Sequence, residues 1–126
     1  MNAMIAVALG GALGAVCRHG INLGAVKLLG HGFPYGTLIV NILGSFLIGL
    51  VIAAIAHSWQ ASETARFFLV TGFLGAFTTF STFSLDAVTL WERKAYIQTA
   101  VYMGGSVAVS ILALLLAMLL VRSIAA

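Results

Sequence analysis

Gly72-Phe73-Leu74-Gly75-Ala76-Phe77-Thr78-Thr79-Phe80-Ser81-Thr82-Phe83-Ser84 lies inside a long apolar run, yet its thirteen positions hold two Gly, four Phe and five hydroxyl side chains. A lipid-facing helix has no use for that mixture. In an unbroken helix Phe73, Phe77, Phe80 and Phe83 would fall within roughly a 120° arc, at ~100° per residue, with the hydroxyls of Thr78 and Thr82 facing the other way. Two Gly in the first half and β-branched Thr in the second argue against a continuous helix. At membrane depth a broken helix survives only where its freed backbone is buried in protein or lines a cavity. The stretch therefore predicts a break in a membrane span, with function at the break.

The rest of the chain supports a membrane reading. Of the 126 residues, 62% are hydrophobic and 7% charged, where a soluble domain of this size carries about 25% charged residues. Four apolar stretches reach the ~20 residues a bilayer needs: 3–29, 35–57, 65–90 and 96–121. The links between them are short. The first holds Pro34, suited to opening a helix. The second holds Ser62 and Glu63, which read as a helix cap and a first-turn acid. The third is Trp91-Glu92-Arg93-Lys94, an aromatic anchor beside charges. The expected fold is an all-α membrane domain over residues 1–126, with four transmembrane helices and the third broken mid-membrane. The N-terminus lacks a basic leader region, and its apolar run continues past Gly14 without a clean cleavage site, so it reads as a retained first span.

Charge places the chain poorly in the bilayer. One side carries Arg66 and Arg122, the other Lys27, Arg93 and Lys94. Such a weak bias leaves two readings: the positive-inside rule fails for this small protein, or the chain inserts both ways and pairs as an antiparallel dimer. Net charge is +3, but the basic residues are scattered and form no stripe for nucleic acid. Cys17, alone in an apolar segment, reads as a packing residue.

Three helices carry polar groups at i, i+4 and i+8. Gly10, Gly14 and Arg18 share a face of the first, and Gly10-x-x-x-Gly14 permits close backbone approach. Arg18, about fifteen residues into its span, is costly there and is expected to face protein or water. Thr37, Asn41 and Ser45 align on the second helix. Asn41 there is either an interhelical hydrogen bonder or a donor aimed at an anion. Tyr102, Ser106 and Ser110 align on the fourth, either as a polar track or bonded back to their own helix. No His or carboxylate sits mid-span, and metal-ligand clusters, nucleophile–base sets and phosphate loops are absent, so no enzyme is expected. A buried positive charge with neutral donors suits an anion held weakly enough to leave. Phe80 and Phe83, three apart, can turn their positive ring edges to such an ion, or simply pack in a core.

At these residues the sequence resembles the Fluc (CrcB) family of fluoride channels. The likeness runs through G-G-A-L-G-A-V-C-R ending at Arg18, G-T-L-I-V-N-I-L-G-S-F from Gly36 to Phe46, and the Gly72–Ser84 motif. It implies an antiparallel dual-topology homodimer with two pathways, passing F⁻ passively across the bacterial inner membrane and lowering cytoplasmic fluoride. By position it implies that the edges of Phe80 and Phe83 contact the ion and that Asn41 is the pore amide. Thr37, Ser81, Tyr102, Ser106 and Ser110 match hydroxyl positions along or beside the path. Arg18 matches a basic residue near a vestibule, and Asp86 would lie near a pore mouth. A structural Na⁺ on the dimer axis would be held by backbone carbonyls at Gly75 and Thr78. The alternatives are a small dual-topology multidrug exporter, which would need a carboxylate where Arg18 stands, and a structural subunit of a larger complex.

Overall fold

The computed structural model describes residues 2–125. Four helical segments are long and apolar enough to cross a membrane: α1 (Ala3–Leu29), α2 (Tyr35–His57), an interrupted third span from Glu63 to Glu92, and α6 (Tyr96–Ala125). The protein is a multi-pass membrane protein. The third and fourth spans outrun the apolar stretches 65–90 and 96–121 because helix continues through their polar ends. At the start of the third, Ser62 caps the helix by accepting the N–H of Ala65 at 3.1 Å. Lys94, at φ 62°, turns the chain sharply from the third span into α6.

The third span is built in pieces. A single α-turn, α3 (Glu63–Arg66), runs into a π-helical stretch, Phe67–Leu74, and then into another short turn, α4 (Gly75–Phe77). Two residues follow in extended conformation, Thr78 (φ −88°, ψ 160°) and Thr79 (φ −154°, ψ 124°), before α5 (Phe80–Glu92) resumes. The expected break is present, but Gly72 and Gly75 do not make it. Gly75 is helical at φ −61°, ψ −37°, and the chain opens at the β-branched Thr pair, residues that favour extended backbone. The π-helical stretch had no signal in the periodicity.

Gly72 serves packing instead. α1 lies against the π-helical stretch and α4, while α2 packs mainly along α6. A Cβ at Gly10 would strike the carbonyl oxygen of Phe68, one at Gly14 that of Phe73, and one at Gly72 would come within 2.8 Å of Val7 O. The two backbones are thus in near contact, the small-residue packing that holds helices together in lipid. Gly49 does the same for α2 and α6, where a Cβ would lie 2.6 Å from Leu114 O. α5 has no such seam and rests on α6 through Phe83, Ala87, Leu90 and Tyr102.

Candidate functional site

The break is held open by one side chain from α2. Asn41 Nδ2 donates to the carbonyl of Thr79 at 3.0 Å, and Asn41 Oδ1 accepts the N–H of Thr79 at 2.8 Å. The amide thus pairs with an extended residue as a neighbouring strand would, satisfying both backbone groups that the break exposes. Thr79 then caps α5, its hydroxyl accepting the N–H of Thr82 at 3.2 Å. On the other side, Thr78 closes the first half by giving both its N–H and its hydroxyl to Leu74 O. Gly44 of α2 makes room for this, since a Cβ there would collide with Thr78 Cγ2. Of the two roles open to Asn41, the amide is seen in interhelical bonding, which occupies its oxygen and one N–H. One further N–H remains on Nδ2.

The break also divides the four phenylalanines. Phe73 and Phe77 stack on the first half, centroids 5.9 Å apart and planes 13° from parallel, with Phe77 in the core. Phe80 and Phe83 pair on α5 at 5.6 Å and 45°. Phe83 is buried against Tyr102, whereas Phe80 is 77% exposed on the single chain. Both rings line a groove of about 310 Å³ together with Asn41, Ser45, Ser106 and Ser110. The hydroxyl oxygens of Ser106 and Ser110 are buried and have no hydrogen-bond partner among the described residues. They do not bond back to their own helix, as Ser84 and Thr99 do.

Tyr102 packs behind Phe83, one of the residues that line this groove. Its hydroxyl donates to Asp86 Oδ2 at 3.0 Å, and its ring is fully buried between Phe83 and Phe33. Asp86 and Thr37 open onto a second cavity of about 280 Å³, lined also by Asn22, Thr82 and Arg93. Phe83 thus lines the groove, while Tyr102 behind it is bonded to Asp86 at the second cavity. Ser81 stands apart: it is exposed and lines neither, its Oγ 3.4 Å from Thr79 Oγ1. Asn22 carries no signal in the sequence, whereas Thr79 is marked as the second of two adjacent β-branched residues.

Arg18 reaches the break from α1. Its Nε donates to Ala76 O at 3.0 Å, and the side chain is half-buried. The neighbouring carbonyls are differently placed. In an unbroken α-helix the N–H groups of residues 79 and 82 would serve the carbonyls of Gly75 and Thr78. Here those donors go to Asn41 and to Thr79 Oγ1. Gly75 and Thr78 therefore present carbonyls without their helical donors, and both residues line a cavity of about 260 Å³ with Gly44, Ser45 and Leu74. Oxygen donors of this kind fit a hard cation. Among the described residues no cluster of three or more His, Cys, Asp or Glu side chains could hold a metal ion.

Comparison with known proteins identifies the family. Residues 5–118 match the family model described as "CrcB-like protein, Camphor Resistance (CrcB)". The chain is 51% identical over 118 residues to the fluoride-specific ion channel FluC of Agrobacterium fabrum, covering 94% of each chain. It is 48% identical over 122 residues to that of Cereibacter sphaeroides (strain ATCC 17029), covering 97% of this chain and 96% of the relative. With that of Rhizobium johnstonii it shares 45% identity over 121 residues, 96% of this chain and 97% of the relative.

Proposed function

The chain belongs to the CrcB family, and on that premise we propose that it is a fluoride-selective ion channel, passing F⁻ passively down its gradient and so lowering cytoplasmic fluoride. The observation that carries the reading is the pair of buried, unpartnered hydroxyls of Ser106 and Ser110, two residues of the groove that Phe80, Phe83 and Asn41 also line. A buried hydroxyl without a partner costs about 1–3 kcal/mol. A small anion or its water can supply that partner. Each contact is a neutral donor, so the ion is stabilised without being trapped.

Chemically, the groove sorts its groups by what they offer. The hydroxyls of Ser106 and Ser110 and the spare N–H of Asn41 donate hydrogen bonds to the ion. The edges of Phe80 and Phe83 offer positive quadrupole in a dry constriction, where electrostatic contacts are stronger than in water. Thr37 and Tyr102 lie towards the second cavity, the single O–H of Tyr102 already given to Asp86 at its wall. Ser81 sits beside this path rather than in it.

The functional unit is an antiparallel dual-topology homodimer in the bacterial inner membrane. Weak charge asymmetry supports dual insertion, and the single chain leaves its groove open with Phe80 exposed. A second copy would also double the two freed carbonyls, Gly75 and Thr78, giving four oxygens for a structural Na⁺ that contributes fixed positive charge and ties the subunits together. A small multidrug exporter is disfavoured because Arg18, committed to Ala76, occupies the place where a carboxylate would be required.

Efflux from vesicles containing only this chain tests the reading. A fluoride electrode should record rapid fluoride release without an imposed proton gradient, and a chloride electrode little release. Chloride efflux at an equal rate would refute the selectivity. Proton-coupled export of lipophilic cations would favour the exporter.

A further inference from the structure

Arg18 is not explained by the groove, since it approaches the break from the side of α1. We infer that Arg18 is a positioning residue: its hydrogen bond to Ala76 fixes α4 so that the Gly75 and Thr78 carbonyls keep the aim that binds Na⁺. The inference rests on the channel reading for the identity of the cation, and on this chain's geometry for everything else.

α4 is the last turn of the helical run that begins at Glu63, and the chain beyond it is extended, so its carbonyls lack the donors that a following turn would supply. Their aim depends on groups outside that run. Thr78 ties it back to Leu74 and Asn41 fixes the residue beyond it. Ala76 follows Gly75 directly and stands two residues before Thr78, and its carbonyl is held by Arg18 at 3.0 Å. The root of Arg18 is itself anchored, because Gly14 and Gly10, one and two turns before it on the same face, press backbone to backbone on the third span. A guanidinium is suited to this, being always charged, with donors in a rigid fork. It also places positive charge at the C-terminal end of a helix segment, where the backbone dipole favours it.

A like charge near a cation site would weaken Na⁺ binding if Arg18 acted only through its field. Positioning predicts the opposite when the side chain is removed, which gives the inference a sign. The purified full-length chain, Arg18→Met and Arg18→Lys would be melted in detergent across a Na⁺ titration, with N-methylglucamine as the replacement cation. Each would also be assayed for the fluoride dependence of efflux.

Arg18→Met should raise the Na⁺ concentration for half-maximal thermal stabilisation by about tenfold, the scale of one lost charge-assisted bond. Arg18→Lys should fall between, and fluoride half-saturation should stay fixed in both. If Arg18→Met yields no dimer, the smaller shift in Arg18→Lys carries the test. A Na⁺ midpoint that is unchanged or lowered overturns the inference, as does a wild-type chain that Na⁺ does not stabilise. A change confined to fluoride half-saturation makes Arg18 an anion ligand and overturns it too. Wild-type vesicles that release no fluoride while the Na⁺ shift persists would strike the channel reading and leave the positioning role standing.

Discussion

The two faces of the third span are built on opposite terms. Towards α1, its first half is sealed by glycines, with Gly10, Gly14 and Gly72 bringing main chains into near contact. Towards α2 and α6, its second half borders a groove with two buried hydroxyls unpartnered and one phenylalanine largely uncovered. The first face spends close packing on rigidity. The second tolerates polar groups that do nothing for stability. Asn41 joins them, being both the clamp on Thr79 and a wall of the groove. Substitutions on the two faces should therefore separate stability from conduction, and Asn41 should refuse the separation.

Asn41→Leu carries the largest expected effect. It leaves both backbone groups of Thr79 without partners in a place water does not replace them, at about 1–3 kcal/mol each. Thermal unfolding in detergent should show a loss of roughly 2–6 kcal/mol, and efflux should vanish. Wild-type stability in this variant would mean that the break does not depend on the clamp. Next comes Gly14→Val, which drives a branched side chain into the main chain at Phe73. Overpacking of this kind costs typically about 1–3 kcal/mol. Residual efflux per folded dimer should be retained, which sets it apart from Asn41→Leu.

The predicted effects reverse on the groove face. Ser106→Ala and Ser110→Ala each delete a hydroxyl that has no protein partner. Melting temperature should hold or rise slightly, while efflux falls about tenfold, the equivalent of ~1.4 kcal/mol on the barrier. A fall in stability with unchanged efflux would return these hydroxyls to a packing role.

The sequence announced the break through its odd mixture of residues, and the register of Gly10, Gly14 and Arg18 already put them on one face. What each of those residues meets was hidden. The partners of Asn41 and Arg18 are main-chain groups of Thr79 and Ala76, 38 and 58 residues away, and a backbone carbonyl has no letter of its own. Glycine and β-branched threonine both argue for a break, and the chain opens at threonine. Glycine's other use, letting another backbone come close, decided the outcome at Gly72. The extended pair at Thr78 and Thr79 follows from β-branching, but only with Asn41 opposite does it become stable at depth. The π-helical stretch 67–74 is set by tertiary packing and leaves no mark on an apolar run.

The most direct measurement compares fluoride efflux from vesicles bearing equal amounts of wild-type and Phe80→Ile dimer. Phe80 is outside the core of its own chain and isoleucine keeps the position apolar, so assembly and melting temperature should hold while release is abolished. Efflux at the wild-type rate from intact Phe80→Ile dimers would contradict a path along the aromatic edge of the break.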